Sequence, residues 1–148
     1  MRGAVRALSA TANQASNLWP RPELITLAQA SARLHATSAS VETSLLLANS
    51  ISALQALVLQ TPQDAQAWQV LASALAAHGR PLASLRAEGE VQIARMDFSA
   101  AVDRFRAAQD ASRQGPSQMG DHIEASIVDA RLRFAQGILR EQMLERDR

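Results

Sequence analysis

The chain has 148 residues, enough for one domain with a sizeable core, and its 47% hydrophobic and 20% charged content with a net charge of +1 excludes a disordered chain or an electrostatic nucleic-acid binder. Five aromatic residues are too few for base-stacking platforms, and the lack of cysteine excludes disulfides, thiolate nucleophiles and cysteine zinc sites. No apolar run reaches the roughly 18 to 20 residues of a membrane span, so a soluble, non-membrane-spanning chain is expected.

Taken in order, Ala4 to Ser16 places Val5, Leu8, Ala12 and Ala15 on one helical face. The first twenty-two residues are rich in Arg, Ala and Ser but lack the continuous apolar stretch of a secretory signal, and they read as a repeat helix. Trp19-Pro20 ends this segment, and Pro22 suits the first position of a second helix with Leu24, Leu27, Ala28, Ser31 and Leu34 on one face. His35 to Ser40 is a turn. Ser40 caps a third helix, reaching Gln60, whose stripe is Leu47, Ile51, Leu54 and Val58.

Thr61-Pro62-Gln63-Asp64 reads as a strong helix start, with a hydroxyl cap, proline at N1 and a carboxylate at N3. The fourth helix runs to about His78 and stops at Gly79; Pro81 opens a fifth and Asp97 a sixth. Gln114 to Gly120 is a loop, and Asp121 with Glu124 forms a D-x-x-E capping pattern for a long final helix. No segment alternates at the strand period. The expected fold is all-α, an antiparallel array of about seven helices: residues 1–60 divergent, 61–113 most repeat-like and 121–146 the terminal helix.

Tetratricopeptide repeats run about 34 residues and carry W-x2-L-G-x2-Y followed by A-x3-F. Trp68, Leu71, Ala72 and Leu75 occupy the first set of places, and Phe98, Ala101, Phe105 and Ala108 space like a second helix of a repeat. Gly89 falls where a small residue is needed, so the helix from Leu82 to Arg95 is expected to serve two pairings at once. Trp68 is expected to pack between the helices of its own unit. Gln66, Gln69 and Ser73 fall on the side that lines the peptide groove of such arrays.

The histidines, His35, His78 and His122, have no i+4 partner of the kind a zinc helix needs, and no nucleophile elbow, phosphate loop or dinucleotide fingerprint is present. No catalytic residue, metal site or cofactor is expected. On the residues Trp68 to Ala72, Arg86-Ala87-Glu88, Asp97 to Val102 and Asp129-Ala130-Arg131, the last ninety or so residues resemble the C-terminal repeat tail of BepA-type periplasmic zinc metalloproteases. The family's His-Glu-x-x-His protease domain is absent from this sequence. The resemblance implies a periplasmic, non-catalytic protein-interaction module that docks on outer-membrane assembly partners or substrates. Two alternatives stand beside it: a piece of a zinc endopeptidase whose catalytic part lies upstream, and a self-assembling helical protein without a peptide ligand.

The final helix carries two apolar stripes, Ile123, Ile127, Ala130, Phe134 and Ile138 against Val128, Leu132, Ala135, Leu139 and Met143. One face is expected to meet the core and the other a protease domain, a folded-back helix or a second copy. The homodimer expectation is through Val128, Leu132, Leu139 and Met143. Glu88, at the edge of its helix's apolar stripe, is expected to pair with Arg131.

Overall fold

Side-chain caps and breaker residues set the helix ends. The computed structural model describes residues 19–148, with six helices: α1 Arg21–Thr37, α2 Val41–Gln60, α3 Ala65–Ala77, α4 Pro81–Ala94, α5 Phe98–Gln114 and α6 Asp121–Arg146. The protein is all-α over this span. The expected helix at Ala4 to Ser16 lies outside the described residues, which accounts for six helices against seven.

Ser40 and Thr43 form a reciprocal capping box at the start of α2, each side chain accepting from the other's backbone amide. Asp97 caps α5 by accepting from the Ala100 amide at 2.9 Å. The start of α3 differs from the expectation at Thr61. That residue closes α2, its amide and hydroxyl both donating to the Leu57 carbonyl, and Pro62-Gln63 turn the chain. Asp64 is the cap, accepting from the Ala67 amide at 3.0 Å. The D-x-x-E pattern before α6 is likewise not a capping box: Gly120 holds the cap position at φ 90°, Asp121 reaches back to the Gln118 amide, and Glu124 turns to another helix.

α3 and α4 both end in the Schellman pattern, in which the two residues beyond the helix bond back to its last carbonyls. At α3 the left-handed residue is Gly79, φ 77°, which suits it. At α4 it is Met96, φ 62°, a side chain in a region that disfavours one.

Packing follows chain order: α1 and α2 pair and both meet α3, α3 packs on α4, α4 on α5, α5 on α6, and α6 returns to α4. Two apolar cores result. The first joins Leu24, Ile25 and Ala28 of α1, Leu47, Ile51, Leu54 and Val58 of α2, most of α3 including Trp68 and Leu71, and Ala83, Ala87 and Val91 of α4. The second joins Leu82 of α4, Ala101, Val102, Phe105 and Ala108 of α5, and Val128, Leu132 and Ala135 of α6, with Leu85 and Ile93 against it. Phe98 is also buried. α4 therefore buries two faces, one toward each core. α2 is the described helix whose length and composition would let it cross a membrane, and five of its apolar side chains, Leu46, Leu47, Ile51, Leu54 and Val58, are buried within the protein.

Close approach is made by small residues. Ser84 of α4 donates its hydroxyl to the Ala72 carbonyl of α3 at 2.8 Å, and Ser31 and Ser50 meet at 3.2 Å where α1 crosses α2. The tightest case is Gly89, where the Phe105 ring sits against the α4 backbone so closely that a Cβ would lie 2.4 Å from Cε1. Gly89→Ala is therefore expected to lower stability by about 1–3 kcal/mol through overpacking, although alanine in an open helix position would gain about 1 kcal/mol over glycine. Denaturant unfolding measures this, and a stabilised variant would contradict the contact.

Candidate functional site

On α4, the strips between its two apolar faces carry its charges. One strip holds Arg86 and Glu90, the other Glu88. α6 lies over the first. Glu90, 6% exposed, receives both Nε and Nη2 of Arg131 at 2.6 and 2.7 Å in a two-pronged contact. Arg86 donates Nε to Glu124 of α6 at 2.8 Å, with its Nη1 3.9 Å from Glu90.

Aromatic rings close the two ends of this row. The Arg86 guanidinium lies 5.7 Å from the centre of the Trp68 ring on α3, and that of Arg131 lies 4.7 Å from the centre of the Phe134 ring on α6. Trp68 is buried and its indole N–H donates to the Pro62 carbonyl at 2.9 Å. Trp68, Arg86, Glu90, Glu124, Arg131 and Phe134 thus bind three helices through two balanced pairs of charge. Both oxygens of Glu90 and one of Glu124 accept from guanidinium donors, an arrangement suited to holding helices in register.

The expected Glu88–Arg131 pair is not formed. Glu88 lies on the opposite strip, partly buried and 3.4 Å from the exposed Arg104 of α5, while Arg131 takes Glu90. The wheel gives the reason. Glu88 and Glu90 sit about 100° to either side of the Leu82, Leu85, Gly89 and Ile93 stripe, and α6 arrives on the Glu90 side. The signal that would have found Glu90 was the second apolar face, Ala83, Ala87 and Val91, which encloses it.

The apolar stripes of α6 are also assigned the other way round. Val128, Leu132 and Ala135 are buried in the second core with Leu139 packed against it, so Val128, Leu132 and Leu139 are not available as a dimer surface, and only Met143 of that set is exposed. The open stripe is the other one: Ile123 is 68% and Phe134 44% exposed, with Ala130 exposed and Ile127 and Ile138 half-buried.

Gln66, Gln69 and Ser73 lie together on an exposed strip of α3 that continues to Ala76. The Gln66 side-chain carbonyl accepts from Arg21 at 2.8 Å, and the Ser73 hydroxyl donates to the Gln69 carbonyl at 3.1 Å. Arg21 also makes a two-pronged contact with Asp64, tying the start of α1 to the start of α3. This guanidinium, aided by the Ala67 and Gln66 amides, holds the Asp64 carboxyl below its ordinary value. The histidines do not converge: His35 meets Thr43 at 3.0 Å, His78 lies 3.5 Å from Ser44, and His122 is exposed. Among the described residues no three His, Cys, Asp or Glu side chains group as a metal site. An open cleft of about 680 Å³ lies between the α4–α5 turn at Met96 to Ser99 and the end of α6 at Leu139 to Arg146.

Comparison with known proteins finds no matching family model, no similar curated protein and no similar solved structure.

Two measurements check this geometry. Glu90→Gln and Arg131→Gln, singly and together, are expected to show a coupling of about 1–3 kcal/mol, and Glu88→Gln with Arg131→Gln to be additive within about 0.5 kcal/mol. For Asp64 the folded carboxyl titrates below the unfolded one, so its contribution is complete above the ordinary value of 3.8 and is lost as pH falls through the lower folded value. The stability gap between wild type and Asp64→Asn is expected to hold from pH 7 to about 4 and to close below that; a gap unchanged well below that range would count against the pair.

Proposed function

We propose that this chain is a non-catalytic protein-interaction module, a helical scaffold of tetratricopeptide type that takes an extended peptide segment along α3. One observation carries the reading: α3 is packed against α1, α2 and α4 yet leaves an uncharged strip of Gln66, Gln69, Ser73 and Ala76 open along its length. Side-chain amides on a rigid helix offer donors and acceptors to a peptide backbone, and the small Ser73 and Ala76 leave room for it to approach. The partner chemistry that fits is a polar, extended peptide of low net charge.

The resemblance of Trp68 to Ala72, Arg86 to Glu88 and Asp129 to Arg131 to the tail of BepA-type metalloproteases supports the same reading. It extends the proposal to a periplasmic role in outer-membrane protein quality control. The Arg86–Glu124 and Arg131–Glu90 contacts lie between α4 and α6 and fix the array's shape, so in this reading the R-A-E and D-A-R segments are structural.

Peptides selected from a displayed random library against the whole chain are expected to shift the backbone amide resonances of Gln66, Gln69 and Ser73, and Gln69→Arg is expected to weaken their binding about tenfold or more while leaving helicity unchanged. Selection of no binder, or shifts confined to other helices, would overturn the α3 site.

A further inference from the structure

Two leucines are buried without belonging to either apolar core of the described residues. Leu27 of α1 is 7% and Leu46 of α2 0% exposed, yet the first core takes Leu24, Ile25 and Ala28 from α1 and Leu47, Ile51, Leu54 and Val58 from α2. On each helix the outlying leucine lies roughly 110° round from the centre of the core stripe, in the same rotational sense. The contacts of Ser31 with Ser50 and of His35 with Thr43 show that α1 and α2 run antiparallel. Rotations of one sense on antiparallel neighbours point to one side of the pair. Leu27, the half-buried Leu34 and Leu46 therefore share a side turned away from α3, and among the described helices only α3 packs on α1 and α2.

This side begins where the preceding chain enters. A groove of about 460 Å³ opens along α1 from Trp19 past Glu23 and Leu27 to Ala30. The segment before Trp19 carries the stripe Val5, Leu8, Ala12 and Ala15. Folded back along α1, as a short connection requires of neighbouring helices, it tapers in the same direction as the surface. The small Ala12 and Ala15 come beside the bulky Trp19 and Leu27. Val5 and Leu8 reach the level of Ala30 to Leu34, and Leu46 stands at that level, since Ser50 lies opposite Ser31 and Thr43 opposite His35.

We infer that the occupant of this side is the chain's own segment from Val5 to Ala15, laid antiparallel along α1, with Val5 and Leu8 toward Leu34 and Leu46 and with Ala12 and Ala15 beside Leu27 and Trp19. The tether selects it over a separate molecule. Only a few residues join Ala15 to Trp19, so the segment is held at an effective concentration on the order of millimolar. It leaves the exposed strip of α3 uncovered, and the two readings stand or fall separately.

The chain has no cysteine, so a single nitroxide can be attached to the full chain at Arg33→Cys, an exposed position on α1. Paramagnetic broadening is expected to be stronger at the amides of Val5 and Leu8 than at those of Ala12 and Ala15, although the latter two are nearer to α1 in sequence. Leu8→Asp is expected to abolish that order and to lower the melting temperature by about 3 °C or more, with the amide resonances of α4 to α6 unchanged as the control for folding. A mixture of nitroxide-bearing chain with separately isotope-labelled chain is expected to show no broadening. Equal broadening along the segment, broadening in the mixture, which makes a second copy the occupant, or a melting temperature indifferent to Leu8→Asp would each overturn it.

Discussion

A helix buried on two opposite faces can keep its charged side chains only in the two narrow strips between them. α4 is in this position. Ala83, Ala87 and Val91 face one core, and Leu82, Leu85 and Ile93 face the other. The remaining positions include Arg86, Glu90 and Glu88, which must find partners on whatever helix passes overhead, because an unpaired charge in such a place is costly. The ties between α4 and its neighbours follow from that constraint.

The same helix explains how closely the second core is drawn together. Gly89 removes the one side chain that would hold Phe105 away from the α4 backbone, and Phe105 is fully buried as a result. α5 then lies near enough for α6 to rest on both α4 and α5. α6 contributes Val128, Leu132 and Ala135 there, packed with Phe105 in one core. Ile123 and Phe134 of α6 are left outside.

Much of the array was legible in the chain. Ser40, Pro81, Gly79 and Asp97 mark helix ends by chemistry that acts over three or four residues, and such local rules do not depend on the rest of the fold. The exposed strip of Gln66, Gln69 and Ser73 was legible for the same reason: a 3.6-residue period fixes which residues share a face. Where local signals competed, sequence reading failed. Thr61 and Asp64 are both good caps, and the choice went to Asp64 because Arg21, forty-three positions earlier, reaches its carboxylate. Glu124 has the spacing of a capping box and faces Arg86 instead.

The sequence by itself determined the all-α class, the boundaries of most helices, the double-sided character of α4 and the presence of two apolar stripes on α6, since each depends only on periodicity and on residues a turn apart. Tertiary structure alone decided which stripe of α6 is buried and which glutamate meets Arg131. Glu88 and Glu90 stand at equal angles on either side of the same stripe, so nothing within α4 distinguishes them. The distinction comes from the side on which α6 returns, a matter of how three helices pack in space, and only that packing turns Glu90 inward and leaves Phe134 exposed.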